Sequence, residues 1–453
     1  MSIRSLILLV ALGLPAVGLL AFGPRGRYGV PPDRTIVRYW EKWTGVEGQA
    51  MQRVVDRFNA TVGAAQNVWV EYNAVSNIEQ RTLIATAGSD PPDVAGLYDF
   101  IVPQYADQGA LRPLDELARQ AGVPIDAWKP IWLDICRYQG QLYALPSTPY
   151  TIALYYNRAL FRQAGLDPNH PPETIAEFDE DVRRLTRSEP VTLPDGTQGQ
   201  RIVQAGFTPS TAMLGWWPWA WPCFFDGRLW DGRECVLDAP AGRAAMHWLA
   251  RVREAQGVEP MLAFEATAGA IESAQNPFLS GRIAMVFQGP WLSNWIAKYA
   301  PTLDYGVAPF PSVTRERRNA FASTDVFVMP AGGRHPREAL LFLAYVSRQD
   351  VMEELCRAHN KLSPFRVPGA DFIARHPNPY IRVFEELAAS PYAFGYPSMP
   401  MWLRVVDELK VLLNTVLAHP EQADTALNAA QQKVNEVVAE YEQMAAKRRG
   451  GAP

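Results

Sequence analysis

The sequence predicts an α/β protein built as two Rossmann-like lobes. Three observations predict it. The chain has 453 residues, too many for a single core, which points to two domains or lobes. Its N-terminal part alternates strand and helix patterns in β-α-β-α-β order, the start of a parallel sheet with helices on both faces. Finally, Phe278 to Trp291, FLSGRIAMVFQGPW, passes from a helix end through the turn Ser280-Gly281-Arg282 into an apolar strand, Ile283 to Phe287. Gly289-Pro290-Trp291 then opens a new helix. An indole on a helix N-terminus beside a strand end lies where ligands sit in such folds, and it offers a flat face for stacking.

The first element is an export segment. Arg4 is followed by an apolar stretch, Leu6 to Phe22, broken by small residues and Pro15, and then by Arg25 and Arg27. Ala16-Val17-Gly18 and Ala21-Phe22-Gly23 are small-x-small cleavage sites, the second spoiled by Pro24. The stretch of about 17 residues is near the lower limit for spanning a bilayer. Residues 1–23 are therefore either a cleaved signal peptide or an N-terminal membrane anchor, and residues 24–33 a linker. A strand follows at Thr35 to Trp40, then a helix with Met51, Val54, Val55 and Phe58 at i, i+3, i+4 and i+7. Val68 to Tyr72 is a second strand, Asn77 caps a helix carrying Leu83 and Ile84, and Pro92 to Leu97 gives a third strand.

Ligands bind such sheets outside the carboxyl ends of the strands. Those ends offer Trp40, Glu41 and Trp43 after the first strand, and Tyr98 and Asp99 after the third. Aromatic faces plus a carboxylate suit a sugar, whose C–H face stacks while its hydroxyls donate. Asp99 also has a plainer reading, as a helix N-cap. The stretch GWWPWAWPCFFDG, residues 215–227, holds too many aromatics for one buried face. Trp216, Trp217, Trp219 or Trp221 is expected to stand partly outward.

Composition excludes several classes. A net charge of −4 gives no basic field for nucleic acid. Four cysteines form no C-x-x-C pair, which argues against zinc and thioredoxin chemistry. Cys223 and Cys235 could close a short loop in an oxidising compartment, which spacing alone does not decide. Phosphate-cradling and nucleophile motifs do not occur, and the six histidines are isolated. Glu41 and Asp99 are the carboxylates a glycosidase would need, but the sequence does not give their separation. Neither an enzyme, nor a cofactor, nor a metal is expected.

The Phe278–Trp291 block closely resembles the F-x-x-G-[KR]-x-A-M-x-x-x-G-x-W signature of family 1 extracellular solute-binding proteins, the carbohydrate receptors of ABC importers. GQLYALPSTPYTIALYYNRALFRQAGLDP, residues 140–168, resembles that family's crossover between lobes, and Tyr305 to Pro311 its [YF]-G-[VI]-[AT]-P-x-P strand. Lys361-Leu362-Ser363-Pro364 is similar to its G-x-[LI]-P turn but lacks the Gly. The resemblance runs in order from about residue 34 to 445. It implies a type II periplasmic-binding-protein fold, two lobes joined by a hinge that starts at Pro146. Lobe 1 would comprise 34–148 plus 322–365, lobe 2 149–321 plus 366–445, and 446–453 a tail.

By the same resemblance, Tyr150 takes a sugar-contacting position that is often acidic in relatives, one of Trp216, Trp217 and Trp219 stacks on sugar, and Trp402 lies near a second stacking aromatic. The expected function is capture of a carbohydrate outside the cytoplasmic membrane by hinge closure and delivery to an ABC permease, by a monomer. Trp291, Trp40, Trp43 and Trp402 would stack, and Asp99 and Glu41 would take hydroxyls. A polyol, glycerophosphodiester or peptide ligand, or a membrane-anchored sugar sensor, are the alternatives. A phosphate ligand would want Arg at the strand ends, and the Trp- and Tyr-rich residues there favour an uncharged sugar.

Overall fold

The computed structural model describes residues 31–193, 195–210, 218–269 and 273–450. The export segment and the candidate residues Trp216 and Trp217 lie outside them. Thirteen strands are present among the described residues: β1 Thr35–Glu41, β2 Val68–Ala74, β3 Val94–Tyr98, β4 Arg137–Tyr138, β5 Gln141–Leu142, β6 Ala144–Thr151, β7 Ala153–Asn157, β8 Arg187–Thr192, β9 Gln198–Gln204, β10 Met285–Gln288, β11 Tyr305–Ala308, β12 Ala320–Val328 and β13 Ala393–Phe394.

The first sheet has the order β13-β12-β3-β1-β2, with β6 also paired to β12. β1 runs parallel to β2 and to β3, while β12 is antiparallel to β3 and β6. β12 reads AFASTDVFV and is buried throughout, as expected for a central strand covered on both faces. β1 alternates, with Val37, Tyr39 and Glu41 buried and the residues between them half-buried. The predicted stripe Met51, Val54, Val55 and Phe58 is buried on helix Gly45–Ala60, so helical periodicity covers one face of the sheet.

The second sheet is small, β10-β7-β11, with β7 antiparallel to both neighbours. The chain crosses from one sheet to the other at Thr151-Ile152-Ala153, between β6 and β7, and again between β11 and β12. Helices Pro240–Gln256, Trp402–Ala418 and Ala423–Gly450 pack on one another and share a core with Leu154, Met285 and Phe287 of the second sheet. The stripe of Leu427, Val434 and Val438 is buried. The segment after residue 366 touches both sheets. Thr151 Oγ1 donates to the Phe384 carbonyl at 3.1 Å, and Tyr380 Oη donates to the Tyr305 carbonyl at 2.7 Å. Two lobes of α/β structure with this connectivity form the type II periplasmic-binding-protein fold.

Local details differ from the sequence reading in three places. Asn77 occupies the N-cap position of helix Ile78–Ala87, but at φ 51° its side chain makes no capping bond. Phe278 and Leu279 lie in a turn rather than a helix end, because Asn276 Oδ1 accepts from both of their amides. All four cysteines are free and buried, Cys223 and Cys235 included. Burial pushes both of those thiols up to about 12, so they act as small apolar side chains rather than reactive ones. Among the described residues no helix is long and apolar enough to cross a membrane.

Candidate functional site

The carboxyl end of β1 begins the site. Gly96 of β3 leaves room there: a Cβ on it would stand 1.7 Å from Glu41 Oε2. The Glu41 carboxylate fills that space. Tyr39 Oη donates to its Oε2 at 2.6 Å, and the Lys42 amide and Nζ donate to its Oε1 at 2.8 and 3.3 Å. Burial raises the Glu41 pKa against the pull of Lys42. Glu41 therefore fixes Lys42 and leaves little acceptor capacity for a ligand.

Lys42 reaches across to the antiparallel strand β12. Its Nζ lies 3.1 Å from Asp325 Oδ1, donates to the Leu97 carbonyl at 3.1 Å, and sits 4.7 Å from the Tyr98 ring centroid. Burial alone would raise the Asp325 pKa. Lys42, Lys361 and the Thr148 hydroxyl, which donates at 2.7 Å, outweigh it and pull the carboxyl down to about 2. The ion is thus paired and hydrogen-bonded, as a buried charge must be.

Lys361 is the second cation. It follows Asn360, which adopts φ 54°, and the turn after it is tied down. Lys129 Nζ donates to the carbonyls of Ser363 and Phe365, each at 2.9 Å. Lys361 Nζ lies 3.6 Å from Asp325 Oδ2, 4.5 Å from the Tyr150 ring centroid and 4.8 Å from that of Trp291. An ammonium at such distances is attracted to the rings.

Trp291 follows β10 of the second sheet. It is the N-cap residue of helix Leu292–Tyr299, as the sequence predicts. Its ring lies against Gly289, where a Cβ would meet it at 2.2 Å. The turn is held from behind by Tyr155 Oη, which donates to the Gly289 carbonyl at 3.0 Å, and by Asn378 Nδ2, which donates to Pro290 O at 3.1 Å. Trp291 meets Tyr150 edge to face, centroids 4.9 Å apart at 80°.

The structure brings together Glu41, Trp43, Tyr150 and Trp291 around Lys42, Asp325 and Lys361. Several expected site residues are nonetheless enclosed or turned away. Trp40 precedes Glu41 on β1 and so points to the opposite face of the sheet. Trp43 is 5% exposed, its ring edge-on to His359 at 4.5 Å. Asp99 is buried and accepts from the Phe100 amide at 2.9 Å and from Ser323. Burial raises its pKa to about 7 despite those bonds. Trp219 and Trp402 are buried against each other, centroids 5.3 Å apart, and Tyr396 covers Trp219 at 4.8 Å. Of the four indoles among which the sequence predicts an outward one, Trp219 and Trp221 are both buried, Trp219 by packing against Phe321 and Trp402, and the other two lie outside the described residues. Neither Trp219 nor Trp402 offers an open face in this conformation.

Sequence reasoning missed Lys42, Asp325 and Lys361. The signal for Asp325 was present: one carboxylate inside an otherwise apolar or small-residue strand demands a cation.

Two sheets joined by crossing strands, with Trp291 after β10 meeting Tyr150 of β6 beside the Lys42, Asp325 and Lys361 charges, are the arrangement of a two-lobed solute-binding protein. The family described as "Bacterial extracellular solute-binding protein" matches residues 42–353, and the chain belongs to that family. A maltotriose-binding protein of Pyrococcus abyssi is 20% identical over 406 residues, covering 85% of this chain and 78% of its own. The structure of CpMnBP1 with mannotriose bound superposes with a TM-score of 0.74 at 24% identity, over 88% of this chain and 100% of that one. That of UgpB from Mycobacterium tuberculosis with glycerophosphocholine gives a TM-score of 0.71 at 21% identity, over 90% and 99%.

Proposed function

We propose that this protein captures an uncharged carbohydrate between its lobes and delivers it to the membrane subunits of an ABC importer. One observation carries the reading. Trp291, at a helix N-terminus of one lobe, meets Tyr150 at 4.9 Å beside the Lys42, Asp325 and Lys361 cluster anchored on the other sheet. A pyranose stacks on the rings while charged groups hold its hydroxyls. The sugars bound by the relatives, maltotriose and mannotriose, support a ligand of more than one ring. Binding stabilises the closed form only as far as the sugar prefers it to the open one. The lobes divide at 34–148 plus 322–365 and 149–321 plus 366–445, and the N-terminal segment directs export. The protein works as a monomer outside the cytoplasmic membrane and binds its ligand without chemistry.

A second reading rests on Lys361. An ammonium in the cleft also suits a phosphodiester, and a relative holds glycerophosphocholine. Titration calorimetry with mannobiose, mannotriose, maltotriose and glycerophosphocholine tests both. Heat from an oligosaccharide supports the first reading; heat from glycerophosphocholine alone replaces it with the second.

A further inference from the structure

Three carboxylates in or beside the cleft are committed to internal partners. Glu41 is held by Tyr39 and Lys42, Asp325 by Lys42 and Thr148, and Asp99 by the Phe100 amide and Ser323. Lys42 is likewise used up, with acceptors on Glu41, Leu97 and Asp325. Two charged groups remain. Lys361 Nζ has no hydrogen-bond acceptor among the described residues; Asp325 Oδ2, at 3.6 Å, is a Coulombic neighbour only. The Glu47 carboxylate also has no hydrogen bond among the described residues, and its side chain is only partly buried.

These two groups belong to one place. Glu47 lies in the first turn of helix Gly45–Ala60. His359 Nε2 makes a 3.1 Å bond to the Glu47 carbonyl, which ties that turn to the segment carrying Lys361. Burial raises the Glu47 pKa against the pull of the nearby Lys361 ammonium. Lys361 in turn sits beside the Trp291 and Tyr150 rings.

We propose that Glu47 and Lys361 form the polar pair that reads the ligand: the carboxylate accepts from one hydroxyl, the ammonium donates to a neighbouring oxygen, and the sugar ring stacks on Trp291. The pair selects for neutral, polyhydroxylated rings, and the claim rests on the carbohydrate reading above. A phosphate or carboxylate on the ligand would gain from Lys361 but be repelled by Glu47. A cationic headgroup would meet the reverse. A sugar hydroxyl, both donor and acceptor, satisfies both partners at once. A site built on such bonds rejects ligands that lack them, because the protein groups are then left unpaired.

The test uses the exported protein and three substitutions, Glu47→Gln, Lys361→Met and Lys361→Arg, titrated with mannobiose, mannotriose, maltotriose, a uronic acid disaccharide and glycerophosphocholine. A hydrogen bond to a charged group predicts roughly tenfold to hundredfold weaker neutral-sugar binding for Glu47→Gln and Lys361→Met. Lys361→Arg should recover part of the loss. Glu47→Gln should also narrow the gap between neutral and anionic ligands, a change that a loss of structure would not produce. Thermal melting of each variant shows whether it is folded, and the half-buried Glu47 keeps the test open if Lys361→Met does not fold. Neutral-sugar affinity unchanged in folded Glu47→Gln and Lys361→Arg would overturn the pair and leave the carbohydrate reading standing. A wild-type protein that takes an anionic ligand or none of these sugars would overturn both.

Discussion

Asp325 Oδ1 lies 3.1 Å from Lys42 Nζ, and both side chains are at most a tenth exposed. This ion pair joins the antiparallel strand β12 to the end of β1, and its other face meets Lys361 from the turn beyond residue 358. Three chain segments far apart in sequence thus converge on one carboxylate.

Removing that carboxylate takes from Lys361 its neighbouring anion and leaves Lys42 with Glu41 as its ionic partner. Asp325→Ala should destabilise the protein by about 3–5 kcal/mol, the usual cost of deleting one partner of a buried pair. Urea unfolding checks it. A loss within about 0.5 kcal/mol, typical of surface changes, would show that Asp325 is not central.

Acid should destabilise the protein partly through His359 and Asp325, with His376, whose pKa burial lowers to about 4, acting in the same sense. Burial, aided by Lys361, holds the His359 pKa down at about 3, well below its ordinary 6.5. The unfolded chain therefore takes up this proton as pH falls below about 6.5 while the folded one does not, and stability drops. Asp325, held at about 2, contributes stability above its unfolded pKa of about 3.9 that is lost as pH falls toward 2. These groups pull the melting temperature down between pH 6.5 and 3. His359→Gln should flatten the upper part of that fall, and an unchanged slope would contradict the buried neutral imidazole.

Asp99 has the opposite sign. Its folded pKa is raised to about 7, so its contribution declines as pH rises from about 4 through 7 and is constant above. The melting temperature of Asp99→Asn minus that of wild type should be more favourable at pH 8 than at pH 5. Equal differences at both pH values would count against the raised pKa.

The tryptophans should divide by effect. Trp402→Ala and Trp219→Ala empty well-packed core and should cost about 3–5 kcal/mol of stability. Trp291→Ala should leave more of the fold intact and weaken sugar binding by at least about 1 kcal/mol, the stacking scale. If Trp402→Ala lost affinity while keeping its melting temperature, the assignment of Trp402 to the core would fail.

Much of the fold was legible because it is written in short-range patterns. The spacing of Met51, Val54, Val55 and Phe58 announces a helix, and FLSGRIAMVFQGPW places Trp291 at a helix start beside a strand end. The site was only partly legible, because burial is a tertiary property. Trp402 and Trp219 look alike to Trp291 in sequence, yet Phe321 and Tyr396 enclose them. Glu41 looked like a ligand-facing carboxylate until Gly96 and Tyr39 took it inward. Lys42 and Lys361 have little meaning until β12 brings Asp325 between them.

The central claim is that the cleft between Trp291 and the Lys42, Asp325 and Lys361 cluster takes an uncharged sugar. Titration calorimetry of wild type and Trp291→Ala with mannotriose and maltotriose, with glycerophosphocholine as control, tests it most directly. The account predicts saturable heat from an oligosaccharide, weakened at least about fivefold in the variant, and none from glycerophosphocholine. Binding of glycerophosphocholine alone, or an oligosaccharide affinity untouched by the loss of Trp291, would contradict it.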